Sequence, residues 1–293
     1  MTRKKLRLNA LDLVLILLLI SGGAYLVNTA FFAFTYQWNW PVIPQYFFRF
    51  DAATDSWVPN LLVTGFLTTI RLSIWSSLLG LVLGTIGAIV LRSRSLYLRL
   101  LGRSYVELVR NTPPLVLVFI FYFFLGNQIM ARLDVPHFIA TRSDSTQYFL
   151  SILFASKERF PEFLSAMLTL ALYEGAYMTE ILRAGLDAVP KGQWEAADSL
   201  GMTAADKYRH VILPQAFRII LPALAGQFIS VIKDSAIVSV ISIQELTFQG
   251  MELMSATYLT FETWITITVM YFCLTFTCSL GAGRLERYFQ KKQ

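Results

Sequence analysis

Long uninterrupted apolar runs constrain the fold of this chain more than any other feature. Hydrophobic residues make up 55% of its 293 residues. They gather in segments that reach or approach the roughly 20 residues that a membrane-spanning helix needs. These segments are residues 11–34, 61–91, 113–130, 163–189, 217–243 and 261–281. The sequence therefore predicts an all-α integral membrane protein with about six transmembrane helices.

The distribution of basic residues predicts how these spans are oriented. The formal net charge is +6, but the bases cluster between alternate spans instead of forming one patch for nucleic acid. The clusters lie before the first span and after the second, fourth and last: Arg3, Lys4, Lys5, Arg7; Arg92, Arg94, Arg99, Arg103; Lys191, Lys207, Arg209; Arg284, Arg287, Lys291, Lys292. Positive segments stay inside, so both termini are predicted to be cytoplasmic. We expect the first span to be retained, not cleaved as a signal peptide, because its apolar run continues past Gly23.

The polar segments contain no motif of a nucleotide-hydrolysing or hydrolytic enzyme. GxxxxGK[ST], HExxH and GxSxG are absent from the sequence. His137 and His210 fall on opposite sides of the predicted membrane, so they cannot share a metal. Cys273 and Cys278 are five residues apart on one predicted helix and face different directions. We therefore expect a protein that is not an enzyme and that binds no cofactor or metal of its own.

A carboxylate in the fourth span marks a candidate site for a transported solute. Glu174 lies about eleven residues from the outer end of that span, roughly 16 Å deep. An unpaired acid at this depth costs on the order of 2.5 to 3.5 kcal/mol, so Glu174 should face a cavity or a cation. Tyr177 lies close by on the same helix, and Glu180 can pair with Arg183 near the inner end.

Two further polar groups interrupt apolar sequence at membrane depth. In the fifth span, Lys233, Asp234 and Ser235 are adjacent, and either a broken helix or separate partners on other helices would accommodate them. In the third, Asn111 and Thr112 precede a Pro-Pro pair that frees backbone carbonyls. That second pattern fits a polar site and an ordinary helix start equally well.

The segment between the fourth and fifth spans is polar and is predicted to be cytoplasmic. Its sequence, about residues 188–214, indicates two short helices. The first begins at Pro190 and stops at Gly201, and the second begins at a Thr203 cap and ends at Pro214. A helical hairpin of this kind, bounded by membrane spans, presents a surface to a peripheral partner.

This segment carries a resemblance to a known family. Glu195, Ala196 and Ala197 are followed after three residues by Gly201 and after nine more by Val-Ile-Leu213-Pro214. The pattern resembles the EAA loop of ABC importer permeases, EAA-x3-G-x9-I-x-LP, with Val211 in place of the usual Ile. The stretches RNTPPL, AYMTEILRAGLDAVPKGQWEAA and KDSAIVSVISIQEL are similar to those of the polar amino acid subfamily, which includes histidine, glutamine and arginine permeases. The resemblance covers roughly residues 63–286, and Asn111 replaces the family's Gly.

The resemblance implies the type I permease fold of ABC importers and a role in alternating access. Two permease subunits would form the pore, a cytoplasmic ATPase dimer that uses ATP and Mg would dock on the EAA loops, and an external binding protein would deliver a polar amino acid. ATPase coupling would fall to Glu195, Ala196, Ala197, Gly201, Leu213 and Pro214. Substrate binding would fall to Asn111, Thr112, Glu174, Tyr177, Lys233, Asp234 and Ser235. Residues 61–293 would form the permease domain of a multi-pass protein of the bacterial inner membrane, and residues 1–60 an additional cytoplasmic tail, helix and external loop.

Two other classes of protein remain open from the residues alone. A channel or an ion-coupled carrier would use Glu174 and Asp234 as titrating groups and would transport without an ATPase. An intramembrane enzyme would need a nucleophile and a base at matching depth. The sequence leaves open which amino acid is carried, because Glu174 favours a cationic group and Lys233 an acidic one, and whether the second permease is identical.

Overall fold

The computed structural model describes residues 10–29, 36–53 and 55–290. The chain separates into two units, residues 1–41 and 42–293. In the first, helix α1 (Ala10–Asn28) coincides with the predicted first span, and its apolar stretch, Ala10–Tyr25, is shorter than a typical span. The end of that predicted span, residues 30–34, and the terminal bases Arg3, Lys4, Lys5, Arg7, Lys291 and Lys292 lie outside the described residues.

The rest of the described chain is almost entirely helical. A 3-10 turn (Trp40–Tyr46) leads to a hairpin of β1 (Phe48–Asp51) and β2 (Ser56–Pro59), paired antiparallel. The helices that follow are α2 (Leu61–Leu91), α3 (Leu96–Asn111), α4 (Pro114–Ile120), α5 (Asn127–Arg132), α6 (Val135–Ala140), α7 (Asp144–Leu153), α8 (Phe160–Asp187), α9 (Lys191–Ser199), α10 (Ala204–Asp206), α11 (Leu213–Asp234), α12 (Leu246–Thr257) and α13 (Thr260–Gln290). A π-helical segment, Phe121–Gly126, joins α4 to α5.

Four helical stretches of the described chain are long and apolar enough to cross a membrane: Leu61–Leu91, Pro114–Arg132, Ala204–Ile241 and Thr260–Arg284. Helix α8, the predicted fourth span, has 28 residues but a lower hydropathy because it contains several polar residues. Those residues, among them Ser165, Thr169, Glu174 and Thr179, are buried in protein. Since they face other helices and not lipid, a polar side chain there does not prevent α8 from spanning.

Helices α2 and α8 pack closely because three glycines lie on one face of α2. A Cβ on Gly84 would lie 2.7 Å from the Cβ of Met178, and one on Gly80 would lie 3.4 Å from its Sδ. At Gly87 a Cβ would collide with Thr179. The spacing of these glycines predicts a close helix approach, and the structure confirms it.

The same ends of α2 and α8 meet at an ion pair, which shows that the two helices run parallel. Arg92, just after α2, bonds to Asp187 at the end of α8. The segment that follows α8 therefore lies at the same end of the bundle as the α2–α3 connection. Buried residues of α2, α4, α8 and α11 form the main core, including Leu72, Leu117, Leu170 and Val231.

Helix α7 ends against α2, which provides donors for its last carbonyl groups. Nη1 of Arg71 donates to the carbonyl oxygen of Ser151 over 3.2 Å, and Nε1 of Trp75 donates to that of Leu153 over 2.9 Å. The final carbonyls of a helix lack partners within the helix, and a cation there also complements the helix dipole. These contacts tie the long segment between α5 and α8 to the bundle.

The buried carboxylate of Glu245, which follows the fifth span, joins helices α2, α12 and α13. Glu245 accepts hydrogen bonds from the backbone N–H groups of Thr247 (2.9 Å) and Phe248 (2.8 Å), and so caps α12. It also accepts from the hydroxyl of Tyr271 on α13 over 2.7 Å, and its Oε2 lies 3.4 Å from the hydroxyl of Thr69 on α2. Glu245 is fully buried, so these partners replace the water that the carboxylate loses.

The α-helix of the fifth span is interrupted after Asp234, which is one of the two arrangements that the adjacent charges of Lys233 and Asp234 allowed. The α-helix α11 ends at Asp234 and continues as a 3-10 segment, Ser235–Ile241. Ser242 then adopts a left-handed conformation with φ of 64° before α12 begins. The break places Lys233 and Asp234 at the end of an α-helix instead of in its interior.

One predicted helix boundary in the polar segment is wrong. Pro214 was expected to end the second short helix, but a π-helical segment (Lys207–Ile212) carries the chain from α10 into α11, and Pro214 lies in the first turn of α11. A proline lacks an N–H and its ring disturbs the preceding turn. The wider π turn accommodates this, so the helix continues instead of stopping.

Candidate functional site

The carboxylate of Glu174 lies at the centre of the bundle. It is near the middle of α8, and its side chain is 0% exposed. Gln227 on α11 donates a hydrogen bond from Nε2 to Oε2 of Glu174 over 2.6 Å. The other oxygen, Oε1, is buried and has no hydrogen-bond partner among the described residues. Glu174 is therefore only partly satisfied by the protein and retains capacity to bind a cation.

A second carboxyl group lies beside the first. The side chain of Asp234, at the end of α11, lies next to the carboxyl group of Glu174. On the same face of α8, the hydroxyls of Tyr173 and Tyr177 are 3.3 Å apart. Two adjacent carboxyl groups repel each other when both are charged, so an ammonium or guanidinium group between them would be stabilised.

The structure brings only some of the predicted substrate-binding residues together. Ser235 is buried, but its hydroxyl donates to the carbonyl of Ile232 over 2.8 Å. Lys233 is exposed. Asn111 is exposed at the end of α3 and donates from Nδ2 to Oε2 of Glu107 over 2.9 Å, and Thr112 is its half-buried neighbour in extended conformation. The central group thus contains Glu174 and Asp234, whereas the recorded contacts of Tyr177 are with Tyr173 and Arg110.

Sequence reasoning missed Gln227 because nothing local connects it to Glu174. The two residues are 53 positions apart, and Gln227 is one polar residue in an otherwise apolar stretch. The signal that could have identified Gln227 is the presence of an amide in a predicted span. Such side chains are rare on lipid-facing surfaces, so the amide indicates a polar contact inside the bundle. Its partner depends on which helix faces which, and periodicity does not supply that information.

The polar segment after α8 is folded as a helical hairpin with a tight turn. Helix α9 follows Pro190, and Gly201 has φ of +67°, a conformation that glycine adopts without strain. The hydroxyl of Thr203 then accepts a hydrogen bond from the N–H of Asp206 over 3.2 Å and caps α10. The predicted start, turn and cap are confirmed.

This hairpin is fixed firmly to the membrane helices. The ring of Trp194 packs edge-on against Tyr208, with centroids 5.4 Å apart, above a core that includes Ile212. The guanidinium of Arg92 lies 5.5 Å from the centre of the Trp194 ring. Since Arg92 directly follows α2, the hairpin contacts the end of α2 as well as α8 and α11.

The residues predicted to contact an ATPase have different exposures. Glu195 and Ala196 are exposed, as is Gly201, whereas Ala197 is buried beneath them. Leu213 and Pro214 are exposed at the start of α11, and Leu200 at the turn is 80% exposed. Exposed apolar and charged residues on one short hairpin form a mixed surface of the kind that protein partners cover.

Sequence comparison relates the chain to membrane transport proteins. Residues 76–293 match the family described as "Binding-protein-dependent transport system inner membrane component". The chain is 32% identical over 232 residues to a probable glutamine ABC transporter permease protein of Bacillus subtilis, which covers 79% of this chain and 94% of that protein. It is 34% identical over 246 residues to an L-cystine transport system permease protein of the same organism, covering 82% of this chain and 93% of the relative. A glutamate/aspartate import permease protein of Escherichia coli is 29% identical over 251 residues, 86% of this chain and 94% of the relative.

Structural comparison gives the same relationship. The fold matches a chain of a crystal structure of an amino acid ABC transporter with histidines, with a TM-score of 0.66 and 32% identity. The match covers 86% of this chain and all of the other. A chain of the MetNI methionine ABC transporter in an inward-facing conformation matches with a TM-score of 0.57 and 18% identity, over 78% of this chain and 96% of that one. The predicted all-α permease fold of ABC importers is confirmed.

Proposed function

Because the chain belongs to the family of binding-protein-dependent transport system inner membrane components, we propose that it is the permease subunit of an ATP-driven importer of polar amino acids. It crosses the bacterial inner membrane several times with both termini in the cytoplasm. The chain itself hydrolyses no ATP and holds no cofactor, and a separate cytoplasmic ATPase dimer supplies the energy from ATP and Mg. An external binding protein delivers the amino acid, and a second permease, identical or related, completes the pore.

The observation that carries the ATP-coupling proposal is the rigid helical hairpin between α8 and α11. Its exposed residues Glu195, Leu200 and Gly201 form a docking surface, and Trp194 and Ile212 anchor that surface to the bundle. A peripheral ATPase dimer that closes on ATP would move such a hairpin as a unit. Since the hairpin contacts the ends of several spans, its displacement would bias the bundle between inward and outward openings.

Amino acids are the cargo that the relatives and the central carboxylates favour together. The relatives described above are named for glutamine, L-cystine and glutamate/aspartate, and every amino acid carries an ammonium group. Oε1 of Glu174 is buried without a partner among the described residues, which leaves it available to that group. Asp234 would add a second negative group, and Tyr177 a hydroxyl.

The remaining predicted substrate residues have supporting positions in this proposal. Asn111, Thr112 and Ser235 would contribute neutral hydrogen bonds at the breaks in the helices, where backbone groups are also free. Lys233 would meet the cargo carboxylate only after a rearrangement of the segment that follows α11, because it is exposed in this conformation. A cationic side chain on the cargo is favoured over an acidic one, since the central group is acidic.

The test is uptake into proteoliposomes that contain the chain with its ATPase and its binding protein. A panel of radiolabelled amino acids is offered with and without ATP. The proposal predicts uptake that requires ATP and is lost in Glu195→Ala. Uptake that does not depend on ATP but requires an ion gradient would establish an ion-coupled carrier, in which Glu174 and Asp234 are the titrating groups.

A further inference from the structure

A charged cleft opens beside α3, between this helix and the cytoplasmic half of α8 predicted from the sequence. Its volume is about 520 Å³, and its charged lining comes from α3 and α8. The charged residues are four arginines and two glutamates: Arg99, Arg103, Arg110, Arg183, Glu107 and Glu180. The surplus of positive charge indicates an anionic ligand.

The glutamates do not neutralise all of the arginines. Arg183 holds Glu180 through two hydrogen bonds of 2.7 and 3.2 Å, and Arg110 lies 3.9 Å from the same carboxylate. Arg103 lies 3.9 Å from Glu107, but both side chains are largely exposed, and such pairs contribute little. Arg99 forms no ion pair with any described residue. Two guanidinium groups therefore remain available, and guanidinium geometry suits a phosphate.

Helix α3 presents three different faces, and this arrangement suits the edge of a bilayer. Gly102, Val106 and Val109 are buried in the bundle. Arg99, Arg103 and Arg110, at spacings of four and seven, share the face that lines the cleft. Beside this basic face, the apolar residues Leu96 and Leu100 are exposed and also line the cleft. A helix with a basic face beside an exposed apolar face is typical of the membrane interface.

The cleft lies at the depth of lipid headgroups. Helix α2 has 31 residues, about 46 Å at 1.5 Å per residue, which matches the roughly 40 to 45 Å of a bilayer with its headgroups. Its last residue, Leu91, lines the cleft. The neighbouring residues Ile86 and Ile89 on α2 are exposed and apolar, so they continue the lipid-facing surface up to the cleft.

We propose that this cleft binds the headgroup phosphate of an anionic phospholipid from the leaflet on the side of the helical hairpin. The phosphate lies between Arg99 and Arg103, and the acyl chains follow the exposed apolar faces of α3 and α2. The charge of the cleft explains the preference for an anionic lipid. The cleft is continuous with the lipid-facing surface, and this explains why its ligand is a lipid and not a soluble anion.

Electron paramagnetic resonance of spin-labelled lipids tests this proposal on the full chain in phosphatidylcholine bilayers. We expect labelled phosphatidylglycerol to be immobilised about tenfold more strongly than labelled phosphatidylcholine. Arg99→Gln with Arg103→Gln should abolish the preference, and Glu107→Gln should increase it. Arg284→Gln with Arg287→Gln is the matched control, because it removes two exposed charges from α13, outside the cleft.

Each other outcome overturns the proposal in a different way. Equal immobilisation of the two lipids by the unaltered chain means that no anionic lipid site exists. Displacement of the labelled lipid by millimolar sn-glycerol 3-phosphate means that a soluble phosphate compound is the ligand, and displacement by an amino acid means that the cleft belongs to the transport pathway. Loss of preference in the Arg284 and Arg287 control means that overall charge is responsible. If the Arg99 and Arg103 variant does not fold, a failure of Glu107→Gln to increase the preference also rejects the site.

Discussion

Gln227 and Glu174 connect α11 to α8 through a single hydrogen bond of 2.6 Å inside the bundle. The amide engages one carboxylate oxygen and leaves the other without a partner among the described side chains. A buried group with unused hydrogen-bonding capacity is uncommon and usually has a role. Here that role would be to hold the cargo ammonium while Gln227 fixes the orientation of the carboxylate.

Glu174→Gln should weaken the apparent affinity for cargo by about tenfold or more, because a charge-assisted hydrogen bond is replaced by a neutral one. The amide can still contact Gln227, so the fold and the ATPase docking should be retained. Initial uptake rates at varied cargo concentration measure the effect, and co-purification of the ATPase is the control. Unchanged uptake would refute the role of Glu174.

Gly84→Ala should destabilise the packing of α2 on α8 by about 1 to 3 kcal/mol through overpacking. The new Cβ would lie 2.7 Å from the Cβ of Met178 and 3.1 Å from its backbone carbon, so a helix must move. Gly80→Ala is the matched control on the same face, because its Cβ would lie at an ordinary contact distance of 3.4 Å. Thermal unfolding of the two purified variants gives the comparison, and equal midpoints would contradict the packing argument.

Arg71→Met should loosen α7, since the apolar stem of the side chain is kept while its donors to Ser151 and Phe154 are lost. Hydrogen exchange of residues 144–156 should become faster. A loss of about 1 to 3 kcal/mol of local stability is expected for hydrogen bonds from a charged donor. Trp75→Phe removes one donor but can retain the stacking on Phe154, so its effect should be smaller. Unaltered exchange in Arg71→Met would show that other contacts hold α7.

Gly201→Val should reduce ATP-dependent uptake, because a β-branched residue at φ of +67° costs roughly 1 to 2 kcal/mol and shifts the turn between α9 and α10. Gly201→Asn is the control at the same position, since asparagine tolerates the left-handed conformation. A Cβ on Gly201 would have no neighbour within 4 Å in the isolated chain. If both variants lose ATP-dependent uptake equally, then any side chain at position 201 interferes with docking of the ATPase. In that case the argument from backbone conformation is wrong.

The features that sequence predicted well depend on local chemistry. The Thr203 cap and the Gly201 turn follow from residue types within a few positions of each other, and the glycine face of α2 follows from helical periodicity. The change to a 3-10 helix after Asp234 is one of the two arrangements that the adjacent charges allowed, and the sequence did not choose between it and separate partners on other helices. The EAA-loop pattern combined these local features into a family assignment.

The features that sequence missed depend on how helices are placed against one another. Periodicity groups Tyr173 with Tyr177, but it does not show that Gln227 faces Glu174 from another helix. Lys233 and Asp234 are neighbours in sequence, yet one is exposed and the other approaches the buried carboxylate. Pro214 illustrates a different limit, since a π turn absorbs the disturbance that would otherwise end a helix.

The carboxylate of Glu245 restricts how this bundle can change shape. It binds backbone N–H groups of α12 and the hydroxyl of Tyr271 on α13, and it lies beside Thr69 on α2. Separating any of these helices would leave a buried polar group unpaired, at a cost of about 1 to 3 kcal/mol or more. We therefore expect α2, α12 and α13 to travel as one rigid body. Bending would then concentrate in the two segments that flank α11, Lys207–Ile212 and Ser235–Ile241, where the α-helical hydrogen bonding is already interrupted.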